Sequence, residues 1–275
     1  MFTTPSLAAR IDRAEGQLCA FFADAARAAD PGSGAFTMPV AGGLAVFAGS
    51  GSPVNKMIGI GFDGAPDEGE LAAVEARFAE RGAPLQAEVS VLAVPETHAM
   101  LIRRGYEHRG FEHEMGRALA GFTGAPADGV RIERVEAVDA AWMDVMVEGF
   151  THPDVGGVGG DALPDPEDAR QAMLSTTRIP RYCAYKGFVG DVLAGAAAFR
   201  AEAGIAQLLG AATLPAWRRR GVQTSLLRVR LADAAREGCD IAVVTVQPAS
   251  KSQENVQRQG FALLYARQLL VKPPS

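Results

Sequence analysis

Three cysteines in 275 residues, Cys19, Cys183 and Cys239, are too few and too far apart for a disulfide framework. None forms a CxxC pair, so a zinc knuckle is excluded as well, and the odd count fits a reducing compartment. Long apolar runs are also missing. Stretches such as VLAGAAAF (192–199) fall far short of the roughly 20 residues that cross a bilayer. The acids Asp12 and Glu15 interrupt the apolar N-terminal stretch, which argues against a signal peptide. Nor is there an excess of positive charge: 27 Lys and Arg against 32 Asp and Glu give a formal net charge of −5. A general nucleic-acid binder needs the opposite balance. The expectation is a cytoplasmic globular protein with no nucleic-acid or membrane partner, long enough for one large domain or two ordinary ones.

What the chain does contain is one pattern twice. In the C-terminal half a strand (204–213) leads through Pro215 into a helix that opens after Gly221 and stops at Gly238. The apolar, β-branched run 240–247 reads as a buried strand that Pro248 ends. Ser250 and Gln253 form a capping box that opens a short helix, closed by Gly260 and followed by a last strand over 261–271. The N-terminal half repeats this order: strand 56–62, helix 69–81 ending at Gly82, strand 87–94, a short helix ending near Gly105, and strand 111–119. The helix-ending glycines are 23 residues apart in one half (82 and 105) and 22 in the other (238 and 260). An internal duplication is the economical reading, with units over 1–124 and 125–275.

The copies differ in charge at one informative place. TLPAWRRRGVQTSLL (213–227) sets Arg218, Arg219 and Arg220 at a helix N-terminus, where the backbone already carries partial positive charge. The corresponding stretch of the first copy, GFDGAPDEGE, carries Asp63, Asp67 and Glu68 instead. A glycine-containing loop feeding a helix start is a ready phosphate site, and an anion there offsets the repulsion among the arginines.

This stretch resembles the acyl-coenzyme A pyrophosphate loop of the GNAT acetyltransferase superfamily, whose pattern is Q/R-x-x-G-x-G/A. Arg218 takes the first position and Gly221 the central glycine, while Gln223 replaces the final small residue. SKSQENVQRQGF (250–261) is similar to the family's later short helix ending in Gly-Phe. The resemblance implies an α/β (α+β) fold of two tandem units, each a mixed central β-sheet flanked by helices, the first a degenerate copy. It further implies an acyltransferase that moves acetyl from acetyl-CoA to the amine of a small molecule or peptide, without a metal. On that basis Ala212, Thr213, Leu214, Arg218, Arg219, Arg220, Gly221, Val222, Gln223, Thr224 and Asn255 hold the coenzyme, and an N–H near 212–214 polarises the thioester. A non-catalytic acyl-CoA sensor is the alternative.

The proton carriers depart from the family's pattern. Val256 stands where relatives often carry a tyrosine acid, and Gln207 where many carry a glutamate base. Tyr265 and Ser252 are the candidate donors, and Glu202 or water the candidate base. The loop 148–168, rich in glycine, proline and aspartate, has the length of a lid, which makes Phe150, His152 and Asp154 acceptor-side candidates. GIGFDG (59–64) fits a dinucleotide fingerprint, but Pro66 and the surrounding acids make it a tight turn. His108 and His113 have opposite strand parity and make no metal pair.

Overall fold

A computed structural model of the chain describes residues 2–152 and 176–274, with 166, 170, 173 and 174 between them. Its helices are α1 (Pro5–Ala29), α2 (Glu68–Ala79), α3 (Pro95–Arg103), α4 (Ala140–Thr151), α5 (Val222–Arg236) and α6 (Lys251–Arg258). Its strands are β1 (Phe36–Val40), β2 (Gly43–Phe47), β3 (Lys56–Ile58), β4 (Leu85–Ser90), β5 (Glu107–Ala118), β6 (Val130–Val135), β7 (Tyr182–Val189), β8 (Val192–Glu202), β9 (Ile205–Thr213), β10 (Ile241–Val246) and β11 (Ala262–Lys272). The repeated order stands in the fold as β3-α2-β4-α3-β5 and β9-α5-β10-α6-β11. Gly82, Gly105, Gly238 and Gly260 all adopt left-handed φ, at 57°, 87°, 85° and 79°. That is the conformation a side chain resists and a helix end needs.

Two compact units divide the chain differently from the boundary at residue 124. The first comprises Met1–Glu114, Thr245–Pro248 and Leu263–Ser275; the second, Met115–Val244 and Ala249–Ala262. Within the first the strand order is β1-β2-β3-β4-β11-β5. The last strand of the chain therefore lies next to β4, antiparallel from Arg267↔Ser90 to Lys272↔Leu85. Within the second the order is β10-β9-β8-β7-β6, with β9 and β10 parallel and the rest antiparallel.

Each unit has its own core. In the first, Phe36, Phe47 and Phe78 meet at centroid distances of 5.5–5.9 Å, packed with Leu71, Val74, Val89 and Leu101. In the second, α4 lays Trp142, Met143 and Met146 on Ala184, Ala196, Ala198 and Ala212. Each fully buried side chain of the Leu, Phe or Met class contributes about 1.5–3 kcal/mol. The small residues of β8 and β9 admit the helix closely. A Cβ on Gly149 of α4 would fall 2.4 Å from that of Ala212, so the glycine sets the approach.

Three local expectations change. Strand 56–62 ends at Ile58, because Gly59 and Gly61 turn the backbone left-handed (φ 73° and 83°). Strand 87–94 ends at Ser90, four residues before the Val94 N-cap of α3. At α6, Ser250 accepts from the Gln253 amide as a cap should, but the Gln253 side chain accepts from Ala249 rather than closing a box on Ser250.

Candidate active site

The second unit builds a gap beside β9. The parallel pairing of β9 with β10 runs only through Ile205↔Ile241, Ala206↔Ala242 and Gln207↔Val243. Beyond Gln207, β9 keeps its antiparallel partner β8, and Leu214 N–H donates to Ala194 O at 2.9 Å. Backbone direction alternates along a strand, so the Ala212 amide shares the β8 side, while Ala211 and Thr213 present theirs to the unpaired side. Leu214 has no free backbone group, since its carbonyl accepts from Trp217 N–H at 2.8 Å. The Thr213 hydroxyl is buried and has no hydrogen-bond partner among the described residues.

A shift in register marks the middle of this stretch. Ala197 pairs with Ala211, and Ala198 with Leu209, leaving Gly210 (φ 43°) as the extra residue of a β-bulge. Met146 of α4 would lie 2.7 Å from a Cβ there, and the Phe150 ring 3.8 Å. An isolated glycine inside a strand pattern is the sequence signal for such a bulge.

After β9 the chain makes a single 3-10 turn (Pro215–Trp217) and reaches the arginines, which have three different fates. Arg218 turns back, donating from Nε to Thr213 O at 3.3 Å and from Nη2 to His152 O. Arg219 holds a left-handed φ of 62°, and the Arg220 guanidinium lies 4.8 Å from the Trp217 ring centre. Gly221 (φ 79°, ψ 0°) then starts α5, whose first helical bond runs from Ser225 N–H to Gly221 O. Gly221 makes no side-chain cap bond to the amides ahead of it, and no other cap is seen among the described residues. They therefore carry the helix's partial positive charge at an open end. Val222 is buried as the helix's first core residue, and Gln223 accepts from Asn255 Nδ2 of α6 at 3.4 Å. Thr224, half-buried, completes the turn.

The first unit is built to opposite effect at the equivalent place. Asp67 caps α2, accepting from Gly69 N–H at 2.7 Å and Glu70 N–H at 3.3 Å. The amides an anion would seek are already bonded to a carboxylate. The gap between the ends of β3 and β4 is closed as well: Val94 N–H donates to Gly61 O at 2.9 Å. GIGFDG is thus a left-handed turn packed against Ala93 and Thr97, and Asp63 pairs with Arg13 at 2.7 Å.

The other candidates scatter. Ser252 is exposed in the first turn of α6, and Val256 is buried on the same helix. Gln207 is buried and accepts from Arg200, which also pairs with the half-exposed Glu202 at 2.8 Å. Tyr265 lies in the first unit, buried, where its hydroxyl donates to Asp12 at 2.5 Å. Burial, followed by the Asp12 carboxylate, pushes its pKa well above that of an ordinary tyrosine. Phe150 is partly exposed on α4, and His152 follows the helix end, its Nδ1 3.1 Å from Glu148 O. Asp154 lies outside the described residues. Among the described residues no group of three or more His, Cys, Asp or Glu is arranged to hold a metal, and no helix is long and apolar enough to cross a membrane.

Comparison with solved structures shows the fold. No protein-family model matches the chain, and no curated protein does. Solved structures do. A GCN5-related N-acetyltransferase from Kribbella flavida superposes with a TM-score of 0.62 at 17% identity, covering 92% of this chain and 96% of that one. A tandem GNAT protein from the clavulanic acid biosynthesis pathway gives 0.62 at 11% identity, over 85% and 78%. A GCN5-related N-acetyltransferase from Sphaerobacter thermophilus gives 0.54 at 16%, over 74% of this chain and 66% of that one. The chain has the fold of the GCN5-related N-acetyltransferases, in tandem.

Proposed function

We propose that the protein is an acetyl-CoA-dependent N-acetyltransferase whose coenzyme site lies in the second unit. One observation carries the reading: the unpaired end of β9 runs directly into an uncapped, arginine-bearing, glycine-started helix. In this reading the Ala211 and Thr213 backbone and the orphaned Thr213 hydroxyl bind the pantetheine arm. The 219–224 amides with Arg219 and Arg220 hold the pyrophosphate, and Arg218 braces the loop through Thr213 and His152. Asn255 fixes Gln223 at its edge. These groups fit the coenzyme's chemistry, an extended amide chain followed by a dianion.

An acceptor amine attacks the thioester carbon directly. The C–N bond forms, the C–S bond breaks, the nitrogen gives up one proton and the departing thiolate gains one. An N–H aimed at the carbonyl oxygen stabilises the charge that develops there. The acceptor enters on the side of Phe150 and His152. Ser252, in the same unit as the loop, or solvent supplies the thiol proton, and Glu202 or water takes the amine's. A small-molecule or peptide amine is the proposed acceptor and the cytoplasm the proposed compartment.

A second reading has its own observation. Gln207 is an amide bonded to Arg200 and Val256 is buried, so neither position supplies an acid or a base. That favours an acyl-CoA sensor. Calorimetry with CoA, then thiol release from acetyl-CoA across an amine panel, separates the two. Binding with amine-dependent release supports the enzyme, and binding with no release from any amine supports the sensor. Absence of CoA binding overturns both.

A further inference from the structure

The second unit buries an arginine that pairs with no acid among the described residues. Arg230 projects from the middle of α5 and is 3% exposed. Among the described residues its hydrogen bonds go to backbone carbonyls: Nη1 to Ala198 O at 2.8 Å and to Gly210 O at 3.5 Å, Nε to Leu226 O at 3.2 Å. Asp233, one turn on, is engaged by the Tyr185 hydroxyl and by Arg236. Burial pushes the Arg230 pKa down to about 10, offset only by the neighbouring tyrosines Tyr185 and Tyr182. Sinking an unpaired guanidinium is costly, and packing alone is served better by leucine or methionine.

Its position gives the reason. The bulge at Gly210 takes one residue out of register with β8, so the Gly210 carbonyl loses its place in the ladder. Arg230 stands in for the missing donor and ties that carbonyl to Ala198 O on the neighbouring strand. The Gly210 C=O and the Ala211 N–H belong to one peptide unit and point in opposite directions. The carbonyl faces β8 and Arg230, while the amide faces the gap beside β9. A cation bonded to one end of a peptide strengthens the donor at the other, because hydrogen bonds in series polarise one another.

We propose that Arg230 is a positioning residue for acyl transfer. From the interior of the second unit it fixes the Gly210 bulge and polarises the Gly210–Ala211 peptide, so that the Ala211 amide is the donor to the thioester carbonyl. This rests on the acyltransferase reading above and moves the thioester donor from the 212–214 stretch, where the Ala212 and Leu214 amides face β8, to the Ala211 amide.

The test needs no acceptor. Acetyl-CoA labelled with carbon-13 at the thioester carbonyl is bound to the full chain, and the carbonyl stretch is read by difference infrared spectroscopy. CoA affinity is measured in parallel. In the wild type the stretch moves below that of free acetyl-CoA. In Arg230→Met it returns most of the way to the free value while CoA affinity changes by less than about threefold, because the pyrophosphate loop is untouched. Arg230→Lys restores part of the shift. If Arg230→Met does not fold, Arg230→Gln takes its place under the same criteria. A folded variant with the full wild-type shift, or with CoA affinity lost along with the shift, overturns the assignment and leaves Arg230 a structural group. A wild-type chain that fails to bind acetyl-CoA overturns the acyltransferase reading itself.

Discussion

Val94 donates its amide hydrogen to the Gly61 carbonyl at 2.9 Å, and that bond distinguishes the two copies. It closes in the first unit the gap that stays unpaired beside β9 in the second. Asp67 adds a chemical block by occupying the Gly69 and Glu70 amides. A pyrophosphate there would displace a carboxylate and meet Glu68 as well, each like charge costing about 1 kcal/mol at 4 Å in water. The expected stoichiometry is one CoA per chain. Calorimetry must use the intact chain, since Leu263–Ser275 belong to the first unit. Two equivalent sites would contradict the comparison.

Gly221 tests the loop. Its φ of 79° is one that valine adopts only with strain of about 1–3 kcal/mol. The neighbour nearest to a new Cβ is Ala127, at 3.4 Å, so there is room for the side chain but not for the conformation. Gly221→Val is expected to weaken CoA binding by more than about tenfold, through loss of the amide nest, with α5 otherwise intact. Circular dichroism checks the helix and calorimetry the affinity. Unchanged affinity would remove the loop from the site.

Most of this arrangement is legible in the sequence, for physical reasons. Glycines 82, 105, 238 and 260 mark helix ends because only glycine takes that φ cheaply, and the β-branched run of β10 marks a buried strand. Charge at 218–220 against 63–68 identifies the copy suited to an anion. What periodicity does not carry is which strand pairs with which. β11 reads as the end of the second copy, yet it pairs with β4, because pairing is decided by partners distant in the chain. For Arg230 the burial is legible and the role is not. On a helical wheel it falls between Leu226 and Ala234, inside the apolar stripe, so periodicity marks it as buried, but only the bulge at Gly210 gives its charge a use.

Tyr265 is next. Its hydroxyl donates to Asp12, which also accepts from Arg267 Nε at 3.0 Å and Nη2 at 2.7 Å. A proton held by a buried carboxylate and a pKa pushed far up make a poor acid for a departing thiolate. Tyr265→Phe is expected to leave the rate of thiol release within about threefold of wild type and to lower stability by about 1–3 kcal/mol, the scale of a lost buried hydrogen bond. Denaturant unfolding and steady-state rates read the two separately. A rate loss of about 100-fold would instead make Tyr265 the general acid.

The buried cluster around Tyr265 also sets a pH dependence. Asp12, Glu15 and the neutral thiol of Cys19 face it from α1, Lys56 from β3, Glu88 from β4, Glu112 and Glu114 from β5, and Arg267 from β11. Asp12, Glu15, Glu88, Glu112 and Glu114 are five carboxylates against the two cations Lys56 and Arg267, so full ionisation leaves three negative charges in excess. Burial raises Glu114 from 4.5 to about 8 and Glu112 to about 7, and Asp12 moves the same way. Groups with raised carboxyl pKa values bind protons in the folded state that the unfolded chain has released. Stability is therefore lost as pH climbs from about 4.5 to about 8, by about 1.4 kcal/mol per pH unit for each proton held. Glu15 has the opposite sign, its pKa lowered to about 2 because Arg267 and Lys56 outweigh its burial, so its contribution is lost only in acid below that window. The melting temperature of the intact chain is expected to fall steadily between about pH 5 and pH 8. Glu114→Gln, which keeps an acceptor for the Thr245 hydroxyl now 2.8 Å away, should flatten that slope. A wild-type melting temperature that rises with pH across this range would show that the cluster holds no proton.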